Sequence, residues 1–462
     1  MTETADIPDP TLRRDDEYEL DPATVSAICE SAAVGDRVAV LALIEDLHTA
    51  DIADVLEQID TDNRRAFIDL VWTELDSSVL AELDEGVRDD VLAILEPARV
   101  AEAVKDLDTD DVVYIVEDLE KDAQRTVLEA LEPAERVAVT ESLTFPEDSA
   151  GRLMQRELVK APPFWTVGQM IDFMRASEDL PEQFYDVIVV DAMAKPVGTI
   201  PLSRIMGSKR PVTLSSLMDD DFRTIEATEP QEDVAYAFNQ YHLVSAPVVN
   251  ADGRLIGVIT IDDAMEVLGE EAEEDMKRLA GVGDEAISDQ VWAITKRRFP
   301  WLAVNLFTSI LASLVIGLFD AAISQLVALA ILMPIVASMG GNGGTQSLTV
   351  AVRALATRDL TSTNAMRVVY REALVGLANG IVFALVMGIV AYVWFSEPLL
   401  GVVIGMAMII NMLAAGLAGI LIPIGLDKLG ADPALASGAF VTTVTDVVGF
   451  FAFLGLAAAI LL

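Results

Sequence analysis

Long uncharged runs in the C-terminal part of the chain constrain its fold more than any other feature. Four runs contain no Asp, Glu, Lys or Arg, and a fifth contains only Asp446. A helix needs about 20 residues to cross a hydrocarbon layer of about 30 Å. We therefore predict five transmembrane helices, within residues 299–319, 321–352, 373–396, 398–426 and 433–462.

Basic residues around these runs predict their orientation. Lys and Arg precede the first run and occur between the second and third and between the fourth and fifth, whereas the other two loops carry only Asp320 and Glu397. Short loops rich in Lys and Arg stay in the cytoplasm. We therefore expect a multi-pass protein of the cytoplasmic membrane, with a cytoplasmic N-terminal half and the C-terminus outside.

Asp446 is the one charged residue inside the predicted spans. An ionised carboxylate in hydrocarbon is costly unless it faces water or a partner, and no Lys or Arg lies within the five runs. Thr442 and Thr443 lie one helical turn earlier, so hydroxyls and the carboxylate share a polar stripe. Oxygen ligands suit a hard cation such as Mg²⁺, which sheds water reluctantly. The pattern predicts a cation site at Asp446.

The second run contains a glycine-rich segment, GGNGGTQ at 340–346. Four glycines in five positions weaken a helix and expose carbonyls, which is tolerated at membrane depth only inside protein or beside water. Close helix packing through glycine is the alternative. Asn342 and Gln346 form an i, i+4 amide pair, which favours a pore. Isolated polar residues are more typical of helix–helix contacts: Gln325, Asn379 and Asn411.

Three segments resemble the transmembrane signatures of the MgtE magnesium transporters: PIVASMGGNGGTQSLTVAVRALATRDL, REALVGLANG and ADPALASGAFVTTVTDVVGFFAFLGLA. The resemblance implies a homodimer with its pore between the subunits and with Asp446 as the ion-selecting carboxylate. It assigns the pore wall to Asn342, Thr442 and the glycines Gly340 and Gly341.

The rest of the chain is strongly acidic. Residues 299–462 hold only seven of the 74 acids and five of the 31 bases, so most of the net charge of −43 lies in residues 1–298. Acids spread over a whole surface are typical of a halophilic protein. A single Asp or Glu is therefore a candidate cation ligand only where its position in the chain singles it out. The charge argues against nucleic-acid partners, and one cysteine and two distant histidines argue against a transition-metal site. We predict a disordered acidic tail over residues 1–20.

Two repeats organise the cytoplasmic part. In residues 21–143 the segments VLEQID, VLAILEP and VLEALEP begin at 55, 91 and 127, a spacing of 36 that is typical of stacked helix pairs. In residues 144–268, strand patterns at 185–191 and 197–200 recur at 246–250 and 255–260, at an offset of 59. We predict a superhelical N-domain followed by two small α/β modules.

The two modules resemble a tandem CBS pair, and GVITIDD at 257–263 fits the second half of such a domain. The resemblance implies that Thr260 and Asp263 hold the phosphate and ribose of ATP or another adenine nucleotide. Pro201 and Arg204 occupy the equivalent places in the first module, so we expect one nucleotide site or none.

Residues 269–298 form an acidic connecting segment, interpreted as a plug helix before the first span. The family resemblance implies that Mg²⁺ bridges acids here to the membrane part and closes the pore. The candidate regulatory ligands are Asp110, Glu232, Asp263, Glu266, Glu271, Glu274, Asp275 and, on the membrane side, Asp432. Because Tyr114, Pro230 and His242 replace acids that the family often carries, we expect fewer or shifted ions.

The sequence thus predicts a multidomain protein: an α-helical superhelical N-domain, an α/β tandem CBS pair and an all-α membrane domain of five transmembrane helices over 299–462. The predicted function is a Mg²⁺-selective, Mg²⁺-gated uptake channel driven by the membrane potential. A secondary exchanger coupled to H⁺ or Na⁺ is the alternative, and a membrane-anchored nucleotide sensor is a third, against which Asp446 argues. Transport of Co²⁺, Ni²⁺ or Mn²⁺ stays open. The sequence contains no GxxxxGK[ST] loop and no evident nucleophile–base constellation, so we predict neither an ATPase nor another enzyme.

Overall fold

The computed structural model describes residues 20–117, 119–177, 180–181, 183–282 and 291–462. Apart from its last residue, the predicted tail lies outside the described residues. By internal packing the chain forms two units, one through Glu270 and one from Glu271 onward.

The first unit opens with a stack of short helices. Helices that begin at residues 49, 85 and 121 are each followed by a partner that begins at 61, 97 and 133, so both series keep the spacing of 36. The predicted helical N-domain is therefore confirmed. The helices are α1 Pro22–Ala33, α2 Arg37–Ile44, α3 Thr49–Gln58, α4 Thr61–Val71, α5 Glu85–Ile94, α6 Pro97–Ala103, α7 Thr109–Glu117, α8 Lys121–Ala130 and α9 Pro133–Ser142.

Many acids of this stack have local structural tasks. The side chains of Asp21, Asp36 and Asp60 accept hydrogen bonds from backbone N–H groups in the first turns of α1, α2 and α4, which satisfies donors that the helix leaves free. The buried guanidinium of Arg64 donates to the Leu56 carbonyl (2.9 Å) and to Asp90 (2.7 Å), so it joins α4 to α5.

Two three-stranded sheets of the same order follow. In each, a short first strand pairs parallel with the middle strand, which pairs antiparallel with the third. The strands are β1 Lys160–Ala161, β2 Asp186–Val190, β3 Pro196–Pro201, β4 Ile225–Glu226, β5 Ser245–Val249 and β6 Leu255–Thr260. The offset of 59 relates β2 to β5 and β3 to β6, and the tandem CBS pair is confirmed. Their helices are α10 Ala150–Leu153, α11 Val167–Ala176, α12 Leu202–Met206 and α13 Gln231–Tyr241.

The connecting helix α14 runs over Ile261–Ala280, directly after β6. It therefore begins eight residues before the predicted start at 269, because nothing in IDDAMEVLGEE breaks a helix. The predicted acidic connection also covers residues 283–290, which lie outside the described residues.

Five helices of the second unit are long and apolar enough to cross a membrane, which confirms the predicted number of spans. They are α15 Val291–Gly317, α17 Ala328–Ala356, α18 Ala365–Phe395, α19 Pro398–Lys428 and α20 Pro433–Ile460, with a short α16 over Asp320–Gln325. Helix α19 is the most buried of the five, and it packs against α17, α18 and α20.

Two predicted span limits are wrong. The second span begins at Ala328, because Leu326 adopts extended backbone and separates α16 from α17. The third begins at Ala365, not at residue 373. Helix α18 therefore includes Glu372, a carboxylate that lies outside the predicted third span.

Candidate functional site

Asp446 lies in the middle of α20 and is half-buried in the single chain. Among the described residues, no hydrogen bond or ion pair engages its carboxylate. The hydroxyls of Thr442 and Thr443 donate to the carbonyls of Gly438 and Ala439 on the same helix. Each hydroxyl proton is thereby used locally, and the hydroxyl oxygen keeps lone pairs that can accept from a hydrated ion.

Helix α17 presents a polar stripe to the outside of the single chain. Asn342, Thr345, Gln346 and Thr349 recur at three- and four-residue spacing, and all four are exposed. Burying an amide in hydrocarbon without a hydrogen bond costs about 2 kcal/mol or more. This face therefore calls for water or another protein surface rather than lipid.

The glycines of α17 serve close packing. The helix continues unbroken through 340–344, although four glycines in five positions weaken a helix. A Cβ at Gly340 would overlap the amide of Asn411, and one at Gly344 would lie 2.5 Å from Val441. Neighbouring helices therefore fill the space beside Gly340 and Gly344. This is the close helix packing that the sequence offered as the alternative to a pore. Gly341 faces α20, with Thr442 at 4.0 Å from its Cβ position.

A cavity of about 220 Å³ lies between the two polar helices, toward the C-terminal end of α17 and the N-terminal end of α20. Thr345 and Thr349 of α17, Thr442 of α20 and Asn305 of α15 line it. Leu279 at the end of α14 also lines the cavity and packs against the cluster formed by Leu348, Ala434 and Val441. The end of the connecting helix thus lies at the mouth of the space between α17 and α20.

Asp432 joins α20 to the connecting helix. Its Oδ1 accepts from the Ala434 N–H at 2.7 Å as the N-cap of α20, and its Oδ2 pairs with Arg278 at 2.5 Å. Arg278 also pairs with Glu274 one turn earlier. The structure therefore brings together two predicted regulatory acids, Glu274 and Asp432, through an arginine that the sequence did not single out. Glu271 and Asp275 lie on the same helix.

Glu372 was missed because the predicted third span began one residue after it. Its carboxylate is buried and accepts from the Ser347 hydroxyl at 2.9 Å and from Arg371 at 3.2 Å. This hydrogen bond links α17 to α18. Beside it lies a cavity of about 150 Å³ lined also by Gln346 and Asn379.

A second acidic group lies within the first unit, where α7 meets the start of α14. Burial raises the pKa of Asp110 well above its ordinary value, that of Asp111 to about 7 and that of Glu266 to about 7. Burial also raises the pKa of Asp263 to about 6. Nearby carboxylates add repulsion in the same direction: Glu82, Asp108 and Asp262. Asp263 therefore lies near enough to repel Asp110 and Glu266, the other two predicted ligands of this group, and also Asp111, which the sequence did not distinguish.

Thr260 and Asp263 are in direct contact. The Thr260 hydroxyl donates to Asp263 Oδ2 at 2.8 Å. The same carboxylate lies close enough to Asp110 and Asp111 to raise the pKa of both. One residue is thus shared between the predicted nucleotide site and the predicted cation group. Glu232 lies apart, in the first turn of α13.

Tyr114 links α7 to α14. Its hydroxyl donates to Glu270 on α14 at 3.2 Å, and the Arg88 guanidinium stacks on its ring at 3.5 Å. Within the described ranges no three Asp, Glu, His or Cys side chains converge closely enough to hold one metal ion. The regulatory ligand sets therefore stay predictions.

Comparisons with known proteins agree along the chain. Family models match as a divalent cation transporter (MgtE) over 333–456, an MgtE intracellular N domain over 47–148 and a CBS domain over 214–270. The magnesium transporter MgtE of Bacillus subtilis is 30% identical over 418 residues, which cover 90% of this chain and 93% of the relative. That of Thermus thermophilus is 30% identical over 437 residues, which cover 93% and 96%.

Among solved structures, the cytosolic domain of the Mg²⁺ channel MgtE in complex with ATP is similar, with a TM-score of 0.47 and 25% identity over 53% of this chain and 99% of that one. The family predicted from the membrane signatures is confirmed by the sequence relatives. The chain belongs to the MgtE family of magnesium transporters.

Proposed function

We propose that this protein is a Mg²⁺-selective channel for magnesium uptake across the cytoplasmic membrane, closed by Mg²⁺ on its cytoplasmic side. The observation that carries the proposal is Asp446: a carboxylate in mid-span that no basic side chain among the described residues neutralises. A hydrated divalent cation supplies the missing charge.

The ion path runs between the polar faces of α17 and α20. Asn342 and the Thr345 and Thr349 hydroxyls lie on one helix, and Thr442 and Asp446 on the other. Such oxygen atoms suit Mg²⁺ that keeps its water shell, because each group needs only to accept hydrogen bonds from bound water.

A homodimer completes this path. The stripe on α17 is exposed in the single chain, and a polar stripe facing lipid would lose its hydrogen bonds to water. A second copy that places the same stripe opposite the first encloses the ion on both sides. The N-terminal half is cytoplasmic in this arrangement and the C-terminus is outside.

The membrane potential suffices to drive uptake. A divalent ion that crosses 100 mV of inside-negative potential gains about 4.6 kcal/mol, twice the value for a single charge. Closure follows when Mg²⁺ accumulates inside and binds the acids of α7, α14 and the start of α20. An adenine nucleotide at Thr260 and Asp263 would bear on the same acids, because Asp263 is common to both groups.

The experiment is Mg²⁺ uptake into proteoliposomes under an imposed K⁺ diffusion potential, without Na⁺ and with equal pH on both sides. The Mg²⁺ concentration is also equal on both sides and is kept below the concentration that closes the channel. A channel takes up Mg²⁺ until the potential is balanced, and its reversal potential follows the Mg²⁺ gradient alone. An exchanger instead shows a reversal potential that moves with a pH or Na⁺ gradient. Uptake that needs either gradient contradicts the proposal.

A further inference from the structure

Asn411 on α19 lies fully buried between the two helices assigned to the ion path. Its Nδ2 donates to the carbonyl of Val336 on α17 at 2.8 Å. Gly340 of α17 and Gly449 of α20 both abut the amide: a Cβ at Gly340 would overlap it, and one at Gly449 would lie 2.7 Å from Nδ2. One side chain therefore fits between two glycines on two different helices.

The orientation of this amide is determined by its neighbour. The Val336 carbonyl only accepts, so the NH₂ end must face it, and the opposite orientation would place two acceptors together. Within the described structure Oδ1 then accepts no hydrogen bond, although it is buried. A buried acceptor without a donor is unfavourable.

Stability alone does not explain an asparagine here. Leucine has the same branching and would leave no buried, unbonded acceptor, although its two methyl groups are larger than the amide. The amide adds a directed bond to α17, which an apolar side chain lacks. That bond fixes the position of α17 along the axis of α19. The two glycines determine how closely α17 and α20 approach the amide, and so each other.

These contacts lie next to the ion-facing residues. Gly449 comes three residues after Asp446 on α20, and Gly340 comes two residues before Asn342 on α17. A change at Asn411 is therefore transmitted to both helices within about one turn of each polar group.

We propose that Asn411 is a positioning residue for the ion site: its bond to Val336 and its seat between Gly340 and Gly449 set the spacing between α17 and α20, and so between Asn342 and Asp446. The proposal rests on the proposed channel function. Asn411 touches no ion; it acts through the two helices that it separates.

The test is Asn411→Leu in the full-length protein, reconstituted in proteoliposomes. We expect Mg²⁺ flux to fall about tenfold, as for a misplaced binding group, and the Mg²⁺/Na⁺ permeability ratio from bi-ionic reversal potentials to fall as well. The variant should still form a dimer on size-exclusion chromatography, because leucine keeps the branching of asparagine. An unchanged permeability ratio with flux within about twofold would overturn the proposal, as would lower stability with an unchanged ratio.

Asn379→Leu provides the matched control, because the same chemical change then falls on an exposed face of α18. Its permeability ratio should equal that of the parent protein. If Asn379→Leu lowers the ratio as much as Asn411→Leu does, the effect is not specific to the place between α17 and α20 and the proposal fails.

A second pair of variants covers the case in which Asn411→Leu does not fold. Gly340→Ala should reduce the yield of folded dimer, since its methyl group overlaps the amide, and Gly340→Ala with Asn411→Ala should restore the fold but not the permeability ratio. A double variant with the parental ratio would overturn the proposal. The channel function itself is tested separately at Asp446, so the two failures are distinguishable.

Discussion

The guanidinium of Arg278 lies 2.5 Å from the carboxylate of Asp432, and so joins the connecting helix α14 to the N-cap of α20. The same guanidinium pairs with Glu274. A positive charge of the protein itself therefore stands between two acids predicted to bind regulatory Mg²⁺. An ion that binds both acids must displace it.

Arg278→Gln should increase opening without Mg²⁺ but leave the half-closing Mg²⁺ concentration nearly unchanged. The ion pair stabilises the metal-free closed form. Mg²⁺ breaks the pair when it binds, so the metal-bound closed form does not contain it, and the free energy of that form relative to the open form does not depend on the pair. A partly exposed pair contributes about 1 kcal/mol at most, so the closed-to-open ratio should fall about fivefold or less. Currents in chelator and during Mg²⁺ titration measure both quantities.

Lys277→Gln is the control for this variant, because the one ion pair of Lys277 within the described ranges is with Glu273 on the same helix. It should change neither quantity. If Arg278→Gln shifts the half-closing concentration and leaves the metal-free current as it was, the pair does not hold the closed form.

Asp446→Asn should reduce Mg²⁺ flux almost to the background of empty liposomes, and Asp446→Ala should reach it. The amide keeps an oxygen but loses the charge that attracts the ion. Asp427→Asn, at an exposed position at the end of α19, should conduct normally. Near-native flux in Asp446→Ala, with the dimer intact on size-exclusion chromatography, would mean that the selecting group lies elsewhere.

Neutralising the acids of α14 or Asp432 should raise the Mg²⁺ concentration needed for closure. In 1 M salt the screening length is about 3 Å, so general repulsion between carboxylates fades and direct ligation dominates. Glu274→Gln, Asp275→Asn and Asp432→Asn therefore lose more in the closed form than they gain in the open one. Mg²⁺ protection of the cytoplasmic half from protease, titrated at multimolar KCl, should shift in parallel. An unchanged titration in all three would reduce the segment to a solvated linker.

The acidic group between α7 and α14 should make the first unit sensitive to pH when Mg²⁺ is absent. Burial raises the folded-state pKa of Asp111 and of Glu266 to about 7, above the value of about 4 in an unfolded chain. The folded state therefore binds more protons than the unfolded state between about pH 4 and 7, and stability decreases as pH rises through that window. Limited proteolysis of the full-length protein in chelator should become faster from pH 5.5 to pH 8.

Mg²⁺ should suppress this pH effect, because it neutralises the carboxylates when protons leave. Asp111→Asn and Glu266→Gln should flatten the dependence, whereas Glu129→Gln, an exposed acid on α8, should not. A proteolysis rate that rises with pH equally in all variants would assign the effect to other groups.

Local physics explains what the sequence determined. Lipid tolerates no charge and no free backbone group over a whole span, so the uncharged runs suffice to identify five helices. Solvent on one face and a core on the other give each helix and strand its apolar spacing. The recurrence of that pattern after 36 residues identifies the helix pairs, and its recurrence after 59 residues identifies the two α/β modules. The start of the third span was misplaced because a charged residue, Glu372, lies inside its helix. Glu372 is buried against Ser347, and the sequence alone could not reveal that partner.

Tertiary structure decided which residues meet across long separations. Whether the glycines at 340–344 break a helix depends on what packs above them, and Asn411 and Val441 come from other helices. In the sequence, nothing distinguishes Arg278 from the other basic residues of a helix. Its partner Asp432 lies 154 residues away, and only the fold brings the two together. Composition and periodicity report whether a side chain prefers water or a core. Composition and periodicity do not report which residue of another helix contacts a given side chain, because the packing of whole helices determines that contact.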